Sequence, residues 1–274
     1  MSAPDRRVTP ANARVALPGW AGETGAKTVA GEMRAIAAPL ADLRAAPDGA
    51  RDRQMLMGWG FHTLEIHQGW AFGQSVRDGY VGYIEEAALG PAIEPTHIIA
   101  ARASHLYPAP DMKSEAVGAL SFGAALRIVD ERHKFMETDQ GLYVPKPHLR
   151  LVDRPFSDPA TVAQLFFGTP YLWGGNSSAG IDCSGLVQAA LIACGGHCPG
   201  DSDLQMALGA EIGAEPLARG DLLFWKGHVA ICVEEDVILH ANAHHMAVAY
   251  EPVDKAIARI KAQGGGDLSA RRRL

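Results

Sequence analysis

Between Cys183 and Cys194, apolar or small residues recur at Leu186, Val187, Ala190, Leu191 and Cys194, the spacing of one buried helical face. Asp182 stands where an N-cap is wanted and Gly195-Gly196 supplies a stop, so a helix is predicted with Cys183 in its first turn. The glycine-rich stretch 168–182 opens straight into it. Elsewhere the apolar runs are short. Five of them, at 35–43, 54–57, 61–66, 69–73 and 80–84, are separated by turn residues near 46–49, 67–69 and 77–79. That rhythm predicts five strands of a small all-β barrel. Residues 96–153 repeat the plan, with an early strand ending near a proline, a wide loop and three close strands; a tandem duplication is the economical explanation.

Asp153-Arg-Pro-Phe-Ser-Asp-Pro is the best boundary in the chain. Beyond it, 158–167 reads as a helix with Pro159 in its first turn. After the Cys183 helix, apolar runs at 220–225, 228–233 and 237–242 predict three strands joined by tight turns, and 254–262 a short closing helix. Helices followed by antiparallel strands are an α+β arrangement. The expected organisation is an N-terminal arm (1–32), extended or partly disordered, a first barrel (33–92), a second barrel (93–153) and an α+β domain (154–274).

A chain of 274 residues has room for two or three domains. Its net charge of −6, with no basic run before Arg271-Arg272-Arg273, gives no footprint for nucleic acid; the triplet reads as a solvated tail. No apolar run reaches the roughly 18 residues of a membrane span. The segment Met1-Ser-Ala-Pro-Asp-Arg-Arg-Val-Thr-Pro lacks the apolar core of a secretory signal, so a cytoplasmic location is expected. Four cysteines make no disulfide framework in a chain this long. Cys194 and Cys198 with His197 between them have no second ligand pair, and neither metal nor cofactor is expected. The oligomeric state is left open.

A cysteine at a helix start sits where unpaired N–H groups and the helix dipole favour the thiolate. As a nucleophile it needs a base and a group that orients the base. His228 opens one strand and His240 nearly ends the next, with Glu234-Glu235-Asp236 as the turn. Pairing about that turn sets residue 230 opposite 240, making the two histidines diagonal neighbours on one side. His244 and His245 compete for the third role, and a satisfied core histidine is the bland alternative for either ring. His62, His67, His97, His105, His133 and His148 lie in the barrels and read as structural.

Pro170-Tyr-Leu-Trp-Gly-Gly, Asp182-Cys-Ser-Gly-Leu-Val-Gln, Gly220-Asp-Leu-Leu-Phe-Trp, Gly227-His-Val-Ala-Ile and Leu239-His-Ala together resemble the NlpC/p60 family of papain-like cell-wall cysteine peptidases. With the barrels ahead, similar to bacterial SH3-like domains, the chain resembles the dipeptidyl-peptidase VI type of γ-D-glutamyl-L-diamino-acid peptidases. The resemblance implies a papain-like domain behind two SH3-like barrels, with Cys183 as nucleophile, His228 as base and His240 as its orienter. It implies an oxyanion site bordered by Tyr171, and a substrate peptide held by Asp182, Ser184, Ser202 and the barrel residue Tyr80. Asp182 could equally be only an N-cap, and Ser202 only a loop or cap residue. The implied substrate is a murein stem peptide, cleaved between γ-D-glutamate and diaminopimelate or lysine, with a free N-terminal L-alanine. An acidic residue expected on the first barrel's early loop is replaced by Arg44 and alanines, with Asp48 and Asp52 only nearby, which departs from the pattern behind the free-amine requirement. Two alternatives stand beside the peptidase: an amidase or acyltransferase on the same scaffold, and a non-catalytic wall-peptide-binding protein.

Overall fold

In the computed structural model, Pro39 splits the first apolar run into two strands, Glu32–Ile36 and Leu40–Arg44. A proline has no N–H for a sheet ladder, so the chain turns there. With Leu89–Pro91 as a further strand, the barrel holds seven strands in place of the five expected. They are ordered Arg51–Leu56, Leu40–Arg44, Val81–Glu85, Trp70–Ser75, Gly60–His67, Glu32–Ile36, Leu89–Pro91. Irregular pairing at Leu43/Arg44 and Thr63/Glu65 marks bulges that help the sheet curl. Ile36, Leu43, Met55, Phe61 and Ile84 fill it.

The structure describes residues 4–21, 25–213 and 215–274, and the chain divides into two compact units, 1–152 and 153–274. The described part of the expected arm is docked rather than extended. Val15–Ala16 pairs in parallel with Lys27–Thr28, and Val15 is buried with Leu64, Phe72 and Val81. Arg6–Asp52 at 2.6 Å and Arg14–Glu65 at 2.7 Å tie it to the barrel. Residues 1–3 and 22–24 of that stretch lie outside the described residues.

Residues 97–151 repeat the strand plan in smaller sheets. His97–Ile99 pairs with Ala125–Leu126 and Leu149–Leu151, Ala103–Leu106 with Gly118–Ser121, and Ile128–Arg132, Phe135–Thr138 and Tyr143–Pro145 form a meander. In both segments a one-turn 3-10 helix (Glu86–Ala88, Lys146–His148) leads to a last strand that pairs with the first. The second segment's core also takes in Leu56 and Met57. Gly58 explains how the segments come so close: at φ +77° a Cβ there would stand 1.9 Å from the Ala125 carbonyl oxygen.

In the second unit four helices, α1 (Pro159–Gln164), α2 (Cys183–Ala193), α3 (Ser202–Gln205) and α4 (Val253–Ala262), accompany a six-stranded antiparallel sheet. Its order is Ala210–Glu211, Ala270–Arg273, Leu222–Trp225, His228–Glu234, Val237–Asn242, Ala247–Pro252. The terminal arginines are therefore a strand, not a solvated tail. Arg273 reaches the buried Asp221 at 2.7 Å and Arg271 donates to the carbonyls of Gly213 and Glu215, so these side chains are tied to the fold. α2 shows more burial than one face: all but Ala189 and Ile192 of its 11 residues are buried, the pattern of a helix enclosed on all sides. α4 lays Ala256 and Ile260 on Leu223, Trp225, Ala230, Cys232 and Ile238. Among the described residues no helix is long and apolar enough to cross a membrane.

Candidate active site

The site starts from a two-residue turn. Trp225 and His228 are paired across Lys226-Gly227, where Gly227 takes φ +71°, a conformation glycine adopts without strain. The fully buried Trp225 ring lies 5.7 Å, centroid to centroid, from the His228 ring and backs it. On the next strand Ile231 is paired with Leu239. Continuing that register by one residue sets Ala230 level with His240, the alignment expected from the acidic turn. His228 Nε2 and His240 Nδ1 are 2.8 Å apart.

Behind His240 lies a pair that sequence reasoning missed. His240 Nε2 meets Glu251 Oε2 at 3.1 Å, and Arg259 of α4 donates to both Glu251 oxygens, Nε to Oε1 at 2.8 Å and a terminal nitrogen to Oε2 at 2.7 Å. Burial works against ionisation of Glu251, but the Arg259 hydrogen bonds and charge outweigh it and hold its pKa below the ordinary value. Burial lowers the His228 pKa to about 3, helped by the neighbouring His240, and lowers that of His240 to about 4 against the pull of Glu251. Both rings rest neutral at pH 7.

Cys183 begins α2, capped by Asp182. Asp182 Oδ1 accepts from the Gly185 N–H at 2.7 Å and from Ser184 Oγ at 3.0 Å, while Oδ2 accepts from the Gly174 N–H at 2.9 Å. The carboxylate is thus an N-cap that also ties down the glycine-rich loop. The helix-start argument for a resting thiolate does not hold here: burial first, and the Asp182 charge second, push Cys183 up to about 12. The backbone amides of Val229, Ser184 and Cys183 oppose that rise, and the Val229 amide brings the sulfur to the residue after His228. No hydrogen bond joins the sulfur to His228 among the described residues. Burial thus pushes both the Cys183 thiol and the His228 imidazole towards their neutral forms.

Residues 168–171 add to the free edge of Ala247–Pro252, the Gly168 N–H donating to the Val248 carbonyl at 3.0 Å and the Tyr171 N–H to Met246 at 2.9 Å. Tyr171 also bridges Ile181, two residues before Cys183. Burial and the nearby Cys183 and Asp182 raise the Tyr171 phenol, which stays protonated and able to donate. Ser184 is buried, and its carbonyl accepts from Gln205 Nε2 at 2.9 Å. Ser202 is the first residue of α3, behind Asp201 as N-cap. The fully buried Gln205 also donates to the Pro199 carbonyl at 3.0 Å, linking α3 and its loop to the first turn of α2; it was not expected. Tyr80 lies in the first unit, buried, with the Arg53 guanidinium 5.1 Å from its ring centroid.

Among the described residues, His240, His245 and Glu251 place one possible ligand atom each within 4.8 Å of one another. Arg259 already occupies both Glu251 oxygens, a donor set poorly suited to a cation. Among the described residues, Cys194, His197 and Cys198 do not join any such group.

Residues 168–262 match the NlpC/P60 family, and residues 43–89 match the bacterial dipeptidyl-peptidase SH3 domain. The chain is 26% identical over 235 residues to dipeptidyl-peptidase 6 of Lysinibacillus sphaericus, covering 76% of this chain and 86% of that protein. It is 38% identical over 85 residues to γ-D-glutamyl-L-lysine dipeptidyl-peptidase of Bacillus subtilis, covering 28% of this chain and 29% of the relative. An NlpC/P60 family protein of Bacillus cereus has a similar fold, with a TM-score of 0.73 at 20% identity, covering 88% of this chain and 99% of that one.

Proposed function

From a chain that carries an NlpC/P60 cysteine peptidase domain and a bacterial dipeptidyl-peptidase SH3 domain, we propose hydrolysis of the γ-D-glutamyl-L-diamino-acid bond of murein stem peptides. The observation that carries the reading is the 2.8 Å pair of His228 Nε2 and His240 Nδ1 beside the amide that meets the Cys183 sulfur. Cys183 is the nucleophile. As its sulfur attacks the γ-carbonyl carbon of D-glutamate, the thiol proton passes to His228, and His240 holds the ring in position. The oxyanion takes hydrogen bonds from the Cys183 N–H and the Tyr171 hydroxyl, donors each worth on the order of 10²–10³ in rate. Collapse breaks the C–N bond, with His228 giving its proton to the leaving amine. Water, deprotonated by His228, then cleaves the thioester and frees the thiol.

In the same proposal Asp182, Ser184 and Ser202 border the peptide, Asp182 by shaping the glycine-rich loop. Tyr80 serves selection of short peptides with a free N-terminal L-alanine, a preference supported by the match of residues 43–89. The repeated strand plan of residues 97–151 supports a second SH3-like barrel. Short released peptides suit a role in cytoplasmic wall recycling, which cell fractionation tests.

Incubation with L-Ala-γ-D-Glu-diaminopimelate is expected to release L-Ala-D-Glu and diaminopimelate, and the N-acetylated peptide to react slowly. Intact peptide after prolonged incubation, with products from a different amide, would refute the assignment.

A further inference from the structure

Glu251 belongs to none of the motifs that define the site, and yet it ends a chain of hydrogen bonds that begins at His228. We propose that Glu251, gripped by Arg259, fixes the tautomers of His240 and His228 and thereby leaves His228 Nδ1 as the unprotonated nitrogen for the Cys183 thiol. Glu251 is on this account a positioning residue; its kinetic consequence rests on the peptidase reading above, while the tautomers do not.

Three contacts fix where the protons lie. An ionised carboxylate can only accept, so across the 3.1 Å contact His240 Nε2 must carry the hydrogen. A neutral His240 then has a bare Nδ1. Across the 2.8 Å contact that nitrogen accepts from His228 Nε2. A neutral His228 protonated on Nε2 has its lone pair on Nδ1, the form a general base needs. Arg259 sets the first term, because it has donors only and takes both carboxylate oxygens. It is itself held, donating at 3.0 Å to Oε1 of Gln263, the C-cap residue of the same helix. Burial of both side chains, 10% exposed for Glu251 and 0% for His240, keeps water from offering the histidine another partner.

Glu251→Gln reverses the arrangement. Arg259 would claim the amide oxygen, the amide NH₂ would face His240 Nε2, and both rings would shift to the Nδ1–H form. His228 could then no longer accept from the thiol.

Nitrogen-15 spectra of the histidine rings in the full chain at pH 7 test this directly. The wild type is expected to show His228 and His240 neutral and protonated on Nε2, Glu251→Asp to keep that form, and Glu251→Gln to convert both. With L-Ala-γ-D-Glu-diaminopimelate, kcat of Glu251→Gln should fall by on the order of 10⁴-fold with KM within about twofold, and Glu251→Asp should recover most of it. A wild-type His228 protonated on Nδ1 would overturn the proposal even if no variant folds. So would a folded Glu251→Gln with unchanged tautomers. Nε2–H rings in a wild type that hydrolyses no murein peptide would support the tautomer assignment while removing the peptidase reading.

Discussion

Each of the two units buries an arginine–carboxylate pair, and the pairs do different work. In the first unit Arg53 and Asp78 meet at 2.8 Å with side-chain exposures of 7% and 3%, and their neighbour is the ring and backbone N–H of Tyr80. In the second, Arg259 and Glu251 meet at 2.7 Å with exposures of 17% and 10%, and their neighbour is an imidazole. A buried pair is weak evidence for stability in itself, because desolvation offsets much of the attraction. What it reliably supplies is direction. On a tyrosine, direction is packing; on a histidine it also decides which nitrogen holds the proton.

The largest way to separate the two is to remove the sulfur. Cys183→Ala should lower hydrolysis by on the order of 10⁴-fold or more while both pairs and the urea midpoint stay where they are. Next comes truncating each arginine. Arg53→Met and Arg259→Met each take the cation away from a buried carboxylate and should cost about 3–5 kcal/mol, read as a lowered unfolding midpoint. Only the second should move the histidine ring nitrogens; movement in Arg53→Met would erase the contrast.

Acid provides a third handle. His228 and His240 have folded pKa values lowered to about 3 and about 4, below the ordinary 6.5 of the unfolded chain. Between these values the unfolded state binds more protons. The stability these rings contribute is therefore complete above pH 6.5 and is lost as pH falls towards 4, by about 1.4 kcal/mol per pH unit for each ring. Urea midpoints of the second unit at pH 7, 6 and 5 measure it, and His240→Gln should roughly halve the slope. The smallest effect is at the cap. Asp182→Ala should cost about 1 kcal/mol of helix stability, seen as a small drop in Tm.

How much of this could be read from residue order follows the range of the forces involved. The Cys183 helix was legible because Asp182 and the glycines at 195–196 are local signals. The histidine pairing was legible because three acidic residues between two apolar runs leave little choice of register. Glu251 was not, since no local signal in Ala-Val-Ala-Tyr-Glu-Pro sets it apart, and its meaning comes from Arg259 one element later. The strand Ala270–Arg273 was hidden by its charges, which find Asp221, two glutamates and a set of carbonyls distant in sequence. The expected thiolate failed for a related reason: the helix start was visible, but the burial of Cys183 was not.

Acylation of the Cys183 sulfur is the step on which the chemistry turns, and rapid acid quench followed by intact-mass measurement detects it. Mixing the chain with excess L-Ala-γ-D-Glu-diaminopimelate should trap an L-alanyl-γ-D-glutamyl thioester mapped to the peptide containing Cys183, and no adduct in His228→Ala. Product formed at full rate with the sulfur never acylated would contradict it.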